Sequence, residues 1–214
     1  MVSCCQCEGI ATQFGAKTAQ RELRRFRRRG PMKSTGMLIE DLGSADARDA
    51  SLLDIGGGIG AIHHTLIDQG ARGAVHVDVS PAYIEAARDE SGRRGHAKCV
   101  TFLLGDFVQV APTLLSADVV TLDRVICCYP DMESLVATAA EKTRRILGAV
   151  YPRDVWWMRL SVKGVNLLMR ARRTGFRVFV YPPASIDAEL RRHGLERRTL
   201  RHTVAWEVVT YARR

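Results

Sequence analysis

The chain has 214 residues, of which 46% are hydrophobic and 26% are charged, and its formal net charge is +9. These values are typical of a folded domain, and no apolar run approaches the ~18 residues that a membrane-spanning helix requires. The sequence begins with neither a basic leader nor an apolar stretch, so we expect no secretory signal and a cytoplasmic location. A single domain over residues 1–214 is the expected organisation.

The cysteines and the basic residues are both clustered. Cys4 and Cys7 form a C-x-x-C, but a structural zinc site usually needs four ligands and no second pair follows nearby, so we predict no metal site. The basic residues concentrate in residues 21–33 and 159–177. Such clusters bind phosphates, anionic membranes or carboxylates, or form solvated helix faces. Nucleic acid and membrane surfaces therefore stay open as partners beside a small-molecule substrate.

The first fifty residues predict helices before the main fold. Apolar positions at helical spacing favour an amphipathic helix over 11–29 that ends at Gly30-Pro31. A second helix is expected from Ser34 or Thr35, either of which is a good N-cap, and residues 43–50 read as a polar surface connection. We interpret residues 1–43 as a helical lid.

From residue 51 short apolar runs alternate with helical segments. Strands are predicted at 51–55, 74–77, 100–104, 118–122 and 146–151, with helices near 60–69, 81–94 and 133–146. Apolar strands joined by helical crossovers indicate a doubly wound α/β fold with a parallel sheet covered on both faces. The core is expected over 51–151.

The remaining chain predicts an insertion and a terminal hairpin. Residues 155–173, within an insertion over 155–181, show helical spacing of Trp156, Trp157, Leu160, Val165, Leu168 and Met169 with basic residues opposite. We expect this helix to cover the core. A helix over 186–193 is expected to stop at Gly194. Strands at 195–204 and 206–211 then form a hairpin within 195–214.

A glycine loop follows the first predicted strand, with Asp54 before Gly56, Gly57, Gly58 and Gly60. Glycines permit positive φ and close approach of a ligand, and the next helix offers free N–H groups. The pattern indicates a nucleotide-type site, although a glycine loop alone does not separate methyl donors from dinucleotides.

Acidic residues follow three successive strands. Asp54 is placed to meet an ammonium group, and Asp78, 20 residues beyond Gly58, suits two ribose hydroxyls. Asp106 suits an adenine amino group, with Phe107 beside the ring. Together these features favour a nucleoside with a charged amino-acid end.

As a set, these motifs resemble the class I methyltransferase family. The resemblance implies S-adenosylmethionine as cofactor and a Rossmann-like seven-stranded sheet with an antiparallel last strand. It also implies a set of cofactor-binding residues: Asp54, Gly56, Gly57, Gly58, Gly60, Asp78, Val79, Asp106, Phe107 and Asp123.

The segment after the fourth strand faces the methyl group in that family. Here it reads Leu-Asp-x-x-Ile-x-x-Tyr-Pro over residues 122–130, which is similar to the magnesium-protoporphyrin O-methyltransferases. Asp123, Cys128 and Tyr129 are the candidate catalytic residues, with His202 as a further candidate base. The Asn/Asp-Pro-Pro-Tyr/Phe motif of base N-methylases is absent, and Cys128 stands where the porphyrin enzymes carry His.

The predicted function is transfer of a methyl group to a small molecule, on oxygen or carbon, in a pocket roofed by residues 11–29 and 155–173. One alternative is an RNA-modifying methyltransferase that uses the basic clusters. Another is a membrane-peripheral enzyme for a hydrophobic substrate, with Trp156 and Trp157 on lipid. His63 and His64 are expected to be surface or hydrogen-bonded side chains rather than ligands.

Overall fold

The computed structural model of the chain describes residues 9–10 and 12–214, and the side chains of residues 44–46 are outside this description. The strands are β1 (Ser51–Ile55), β2 (Gly73–Asp78), β3 (Val100–Leu104), β4 (Ala117–Asp123), β5 (Thr143–Pro152), β6 (Leu195–His202) and β7 (Trp206–Arg213). They form a seven-stranded sheet in the order β3-β2-β1-β4-β5-β7-β6. Strands β1 to β5 are parallel, and β7 runs antiparallel to both neighbours. The predicted Rossmann-like fold is confirmed.

Helices cover both faces of this sheet. They are α1 (Ala16–Arg29), α2 (Lys33–Ala47), α3 (Ala61–Asp68), α4 (Pro81–Arg94), α5 (Phe107–Val110), α6 (Met132–Glu141), α7 (Trp156–Ala171) and α8 (Pro183–Arg192). Consecutive residues of a strand face opposite sides, so Val120 and Leu122 pack under α6 and α8 while Val119 packs under α2. Within the described ranges, no helix is both long and apolar enough to cross a bilayer.

The sheet order determines where a ligand can bind. Strand β1 has β2 on one side and β4 on the other, so the crossover connections from β1 and β4 leave in opposite directions. In open α/β sheets, ligands bind in the crevice at the carboxyl ends of the strands at such a point. The glycine loop after β1 lies at this crevice.

Several predicted boundaries were wrong, and local packing explains them. The helix predicted over 133–146 ends at Glu141, and β5 begins at Thr143 because Thr143 is buried and its hydroxyl donates to the Ala139 carbonyl at 2.7 Å. The helix predicted over 11–29 is interrupted at Phe14 and Gly15, because residues 9–10 and 12–13 are helical and α1 begins at Ala16 with Gly15 at its N-cap. Helix α2 continues beyond Gly43, where the backbone kinks at φ 64°, so residues 43–47 are not a loop.

Ser34 and Thr35 are not helix caps, because α2 already begins at Lys33. Both side chains are buried, and the Thr35 hydroxyl donates to Asp123 Oδ2 at 2.7 Å. The hairpin strands also differ by two residues at their ends, with β6 ending at His202 and β7 at Arg213. Thr35 therefore connects α2 to the carboxyl end of β4 rather than starting the helix.

The apolar face of α7 is exposed, contrary to the prediction that it covers the core. Met169 is the α7 residue classed as buried, whereas Trp156 is 77% exposed and Leu167 is 70% exposed. The predicted helix is present, but no part of the described chain covers the face formed by Trp156, Leu160 and Leu167.

Candidate active site

A cavity of about 370 Å³ lies at the carboxyl ends of the strands, a volume within the ordinary range for ligand sites. Nine residues that the sequence singled out line it: Gly56, Gly58, Asp78, Val79, Asp106, Phe107, Asp123, Cys128 and Tyr129. Gly57 and Asp54 instead line a smaller cleft beside it, together with Thr35 and Asp123. The structure therefore gathers residues from four strand ends around one space.

The glycine loop contains the positive-φ backbone that its residue types permit. Gly56 and Gly58 have φ of +58° and +56°, a region that other residues rarely adopt. A Cβ on Gly56 would lie 2.5 Å from Val125 Cγ2. Gly60, with φ of +81°, is the N-cap of α3 and lines neither space. The loop backbone is thus free to approach a ligand closely, while Gly60 shapes the following helix.

Asp78 ends β2 and points its carboxylate at the glycine loop. Its Oδ2 accepts the Gly58 N–H at 3.0 Å and its Oδ1 accepts the Ser80 N–H at 2.8 Å. The side chain is buried, and burial raises the pKa of Asp78 to about 6. This carboxylate both anchors the loop and retains lone pairs toward the cavity.

Asp106 and Tyr129 form a hydrogen-bonded pair on the opposite wall. The Tyr129 hydroxyl lies 3.1 Å from each carboxylate oxygen of Asp106 and donates to it. Asp106 also caps α5 by accepting the Val108 N–H at 3.0 Å. Tyr129, a candidate catalytic residue, is therefore hydrogen-bonded to Asp106, the residue that was predicted to bind the adenine amino group.

Two residues that were not predicted as site residues, Glu22 and Arg124, line both the cavity and the cleft. Arg124 follows Asp123 with φ of +61°, an uncommon backbone for a residue with a side chain. Its Nε lies 3.3 Å from Asp123 Oδ1. Glu22 is the one acidic residue in α1, which carries six arginines. An isolated acid in a basic helix is the sequence feature that could have identified Glu22 as a site residue.

Asp54 does not line the main cavity but lines the adjacent cleft, so its contact with an ammonium group stays a prediction. Its Oδ2 lies 2.8 Å from His63 Nδ1, and its Oδ1 accepts the Thr121 hydroxyl at 2.7 Å. The side chain is buried, and burial raises its pKa. Asp54 therefore supports the loop from beneath.

Of the two alternatives predicted for His63 and His64, surface or hydrogen-bonded side chains, the structure shows the second, because His63 contacts Asp54 and His64 contacts His96 and the Ala87 carbonyl. Both are fully buried with His76, and burial lowers the pKa of each of the three to about 3. At neutral pH they are uncharged imidazoles. Helical spacing did not predict that both residues are buried, because between them they face both the sheet and α4.

Cys127 and Cys128 lie beyond β4 with their sulfurs 3.7 Å apart. The hydrogen bond to Cys128, together with burial, raises the pKa of the Cys127 thiol well above its ordinary value. His202 is exposed on β6 and is not among the described residues that line the cavity, so the structure removes it as a candidate base. Cys4 and Cys7 lie outside the described residues.

Two separate segments roof the cavity, and we call Ile10, Phe14, Phe176 and Val178 the roof. The Phe14 and Phe176 rings meet edge to face with centroids 5.6 Å apart. Gly9 lies so close to the chain at Phe176 that an added Cβ would be 2.4 Å from its backbone nitrogen. The predicted roof was partly wrong, because Phe176 and Val178 follow α7 and none of the α7 residues lines the cavity.

Comparison with known proteins gives a consistent assignment. Residues 53–145 match the family described as a methyltransferase domain. The magnesium protoporphyrin IX methyltransferase of Synechocystis PCC 6803, solved with bound SAH, superposes with a TM-score of 0.75 at 14% identity, over 98% of this chain and 100% of that one. The chain thus contains a methyltransferase domain, and its fold is that of the class I methyltransferases.

Other proteins that are similar to this chain differ in how much of their own length is matched. An O-methyltransferase family protein of Burkholderia thailandensis superposes with a TM-score of 0.72 at 17% identity, over 95% of this chain and 62% of that one. The ribosomal protein L11 methyltransferase of Hamiltonella defensa subsp. Acyrthosiphon pisum is 30% identical over 109 residues, or 50% of this chain and 34% of the relative. The matched region thus spans about a third of that relative's length.

Proposed function

We propose that this protein uses S-adenosylmethionine to methylate an apolar small molecule on oxygen or carbon. The proposal depends on one observation, namely that a single roofed cavity joins the glycine loop to an apolar end lined by Phe14, Phe176, Val178 and Trp206. A roof of this kind excludes water and leaves space for a compact acceptor. A macromolecular substrate would need an open groove at the same place.

The residues present fit the cofactor. The positive-φ glycines admit close contact, and Asp78 has acceptor capacity for the ribose hydroxyls, with Val79 beside it. Asp106 and Phe107 suit the adenine. We assign the amino-acid end to Glu22, Arg124 and Asp123, whose charges complement an ammonium and a carboxylate group. The bound cofactor supplies an activated methyl group.

Methyl transfer from a sulfonium requires alignment and exclusion of water more than acid–base chemistry. Asp123, Cys128 and Tyr129 remain the proposed groups near the acceptor. The Tyr129 hydroxyl donates to Asp106, and Asp123 accepts from Thr35, so both side chains are held in fixed positions. In this proposal they orient the acceptor, and a carboxylate acceptor needs no base.

The acceptor class can be tested with methyl-labelled S-adenosylmethionine and a clarified cell extract. We expect label to appear in the small-molecule ultrafiltrate, and in its organic-extractable part because the acceptor end of the cavity is apolar. The Asp78→Ala variant is the control, since it should transfer little label. Label that enters RNase-sensitive or protease-sensitive material instead would contradict the proposal and favour an RNA or protein substrate.

A second candidate, a membrane-peripheral enzyme for the same class of acceptor, is supported by α7. Trp156, Leu160 and Leu167 recur at spacings of four and seven residues, so they share a face, and they are 62–77% exposed. No residue of α7 is acidic, and Lys163 and Arg170 run beside this face. Exposed aromatic and aliphatic side chains flanked by cations match the interface of an anionic bilayer.

Flotation with phosphatidylserine-containing vesicles tests this candidate. We expect the protein to float with anionic vesicles and the Trp156→Glu/Leu160→Glu double variant to stay in the dense fraction. Leu200→Glu is the matched control, because Leu200 is an exposed leucine on β6. Equal flotation with neutral vesicles, or a change of oligomeric state in the double variant without a change in flotation, would rule the candidate out.

A further inference from the structure

A group of metal-binding side chains lies beneath the glycine loop, outside the cavity described above. Asp54, His63 and His76 each offer one ligand atom, and these atoms all lie within 4.8 Å of one another. Asp54 and His76 are paired residues on β1 and β2, and His63 reaches them from α3. Three neighbouring elements thus direct one carboxylate and two imidazoles to the same point.

The imidazoles of this group have unsatisfied nitrogens. Among the described residues, His63 Nε2 and both ring nitrogens of His76 are buried without a hydrogen-bond partner. Leaving a buried polar atom unpaired costs about 1–3 kcal/mol. His64 differs, because its ring nitrogens lie 3.2 Å from His96 Nδ1 and the Ala87 carbonyl. The unpaired nitrogens therefore occur where the carboxylate is, and not throughout the histidine cluster.

We propose that Asp54, His63 and His76 bind a Zn²⁺ ion beneath the glycine loop. Neutral imidazole nitrogens and a carboxylate oxygen are ligands that zinc prefers. A cation placed here offsets the buried negative charge of Asp54 and gives the unpaired nitrogens a partner. The described residues supply three ligands, so a water molecule bound to the ion would complete the usual tetrahedral set of four.

The position assigns this ion a structural role that does not depend on methyl transfer. It joins β1, β2 and α3 directly under Gly57, whose Cα is so close that an added Cβ would lie 2.6 Å from both Asp54 Oδ2 and His76 Nδ1. The site is shielded from solvent, because the three side chains are at most 2% exposed. We therefore expect the ion to be incorporated as the chain folds and to be retained during purification.

The test uses the full chain with Cys4, Cys5 and Cys7 replaced by serine, which removes the N-terminal thiols as ligands. We expect about one zinc per chain after gel filtration of protein from zinc-supplemented medium. His76→Phe, which keeps a ring of similar size, should reduce this content about tenfold or more. His193→Ala is the control, because His193 contacts Glu189 on α8.

Cobalt substitution of the same serine variant keeps the test valid if His76→Phe does not fold. Co²⁺ should give visible d–d absorption without the near-ultraviolet thiolate band, since the ligands are nitrogen and oxygen. Zinc at background level in the folded serine variant, a thiolate-to-cobalt band, or full zinc content in folded His76→Phe would each overturn the proposal.

Discussion

Replacing Asp78 by alanine is expected to weaken binding of S-adenosylhomocysteine about 100-fold, which corresponds to ~3 kcal/mol. The carboxylate holds the Gly58 and Ser80 N–H groups and is the proposed acceptor for the ribose hydroxyls. Hydrogen bonds to a charged group contribute about 1.5–3 kcal/mol each. The loss of the two proposed hydrogen bonds from the ribose hydroxyls to Asp78 would therefore account for this effect. Isothermal titration calorimetry measures it directly.

Asp89→Ala is the control for this experiment, because Asp89 is an exposed acid on α4 that pairs with Arg27. It should bind the ligand as the parent protein does. The parent should also lose affinity as the pH falls through about 6, where Asp78 becomes protonated, and the alanine variant should lack this dependence. An affinity for Asp78→Ala within a factor of about two of the parent, ~0.4 kcal/mol, would remove Asp78 from the site.

Gly57→Ala is expected to lower the free energy of unfolding by about 1–3 kcal/mol, the usual range for an overpacked core. The added Cβ would lie 2.6 Å from Asp54 Oδ2 and from His76 Nδ1, and both groups are fixed in strands. Urea denaturation followed by circular dichroism provides the measurement.

The matched control is expected to change the free energy of unfolding in the opposite direction. A Cβ at Gly92, inside α4, meets no atom within 4 Å, so Gly92→Ala should stabilise the protein by ~0.5–1 kcal/mol. If Gly57→Ala unfolds at the same urea concentration as the parent while Gly92→Ala is stabilised, the loop must be able to shift away from Asp54. The close packing described here would then be incorrect.

The cofactor half of the site could be predicted from the sequence because its information is local. Asp78 and Asp106 each follow a short apolar strand, and the carboxyl ends of parallel strands meet at one edge. The positive φ of Gly56 and Gly58 could likewise be expected from their residue type. These features depend on residues that are close in the sequence, so residue type and spacing are enough to predict them.

The remaining features depend on contacts between distant segments. Thr35 has the residue type of a cap, yet it donates to Asp123, 88 residues away. Spacing predicts the apolar face of α7 but does not say whether anything packs on it. His63 and His76 come together only because β1 pairs with β2 and α3 packs back against these strands. Their positions in the sequence therefore did not predict a shared metal site.

The roof comes from two stretches of chain, around Phe14 and around Phe176, and neither includes the acids that end β2 and β3. If the proposed function is correct, most of the residues that bind the donor lie in other parts of the sequence than the residues that bind the acceptor. Substitutions in the roof are then expected to reshape the acceptor end with less effect on the affinity for the donor. A lineage carrying this fold could consequently explore new acceptors by changing a few aromatic positions, without passing through forms that have lost the methyl donor.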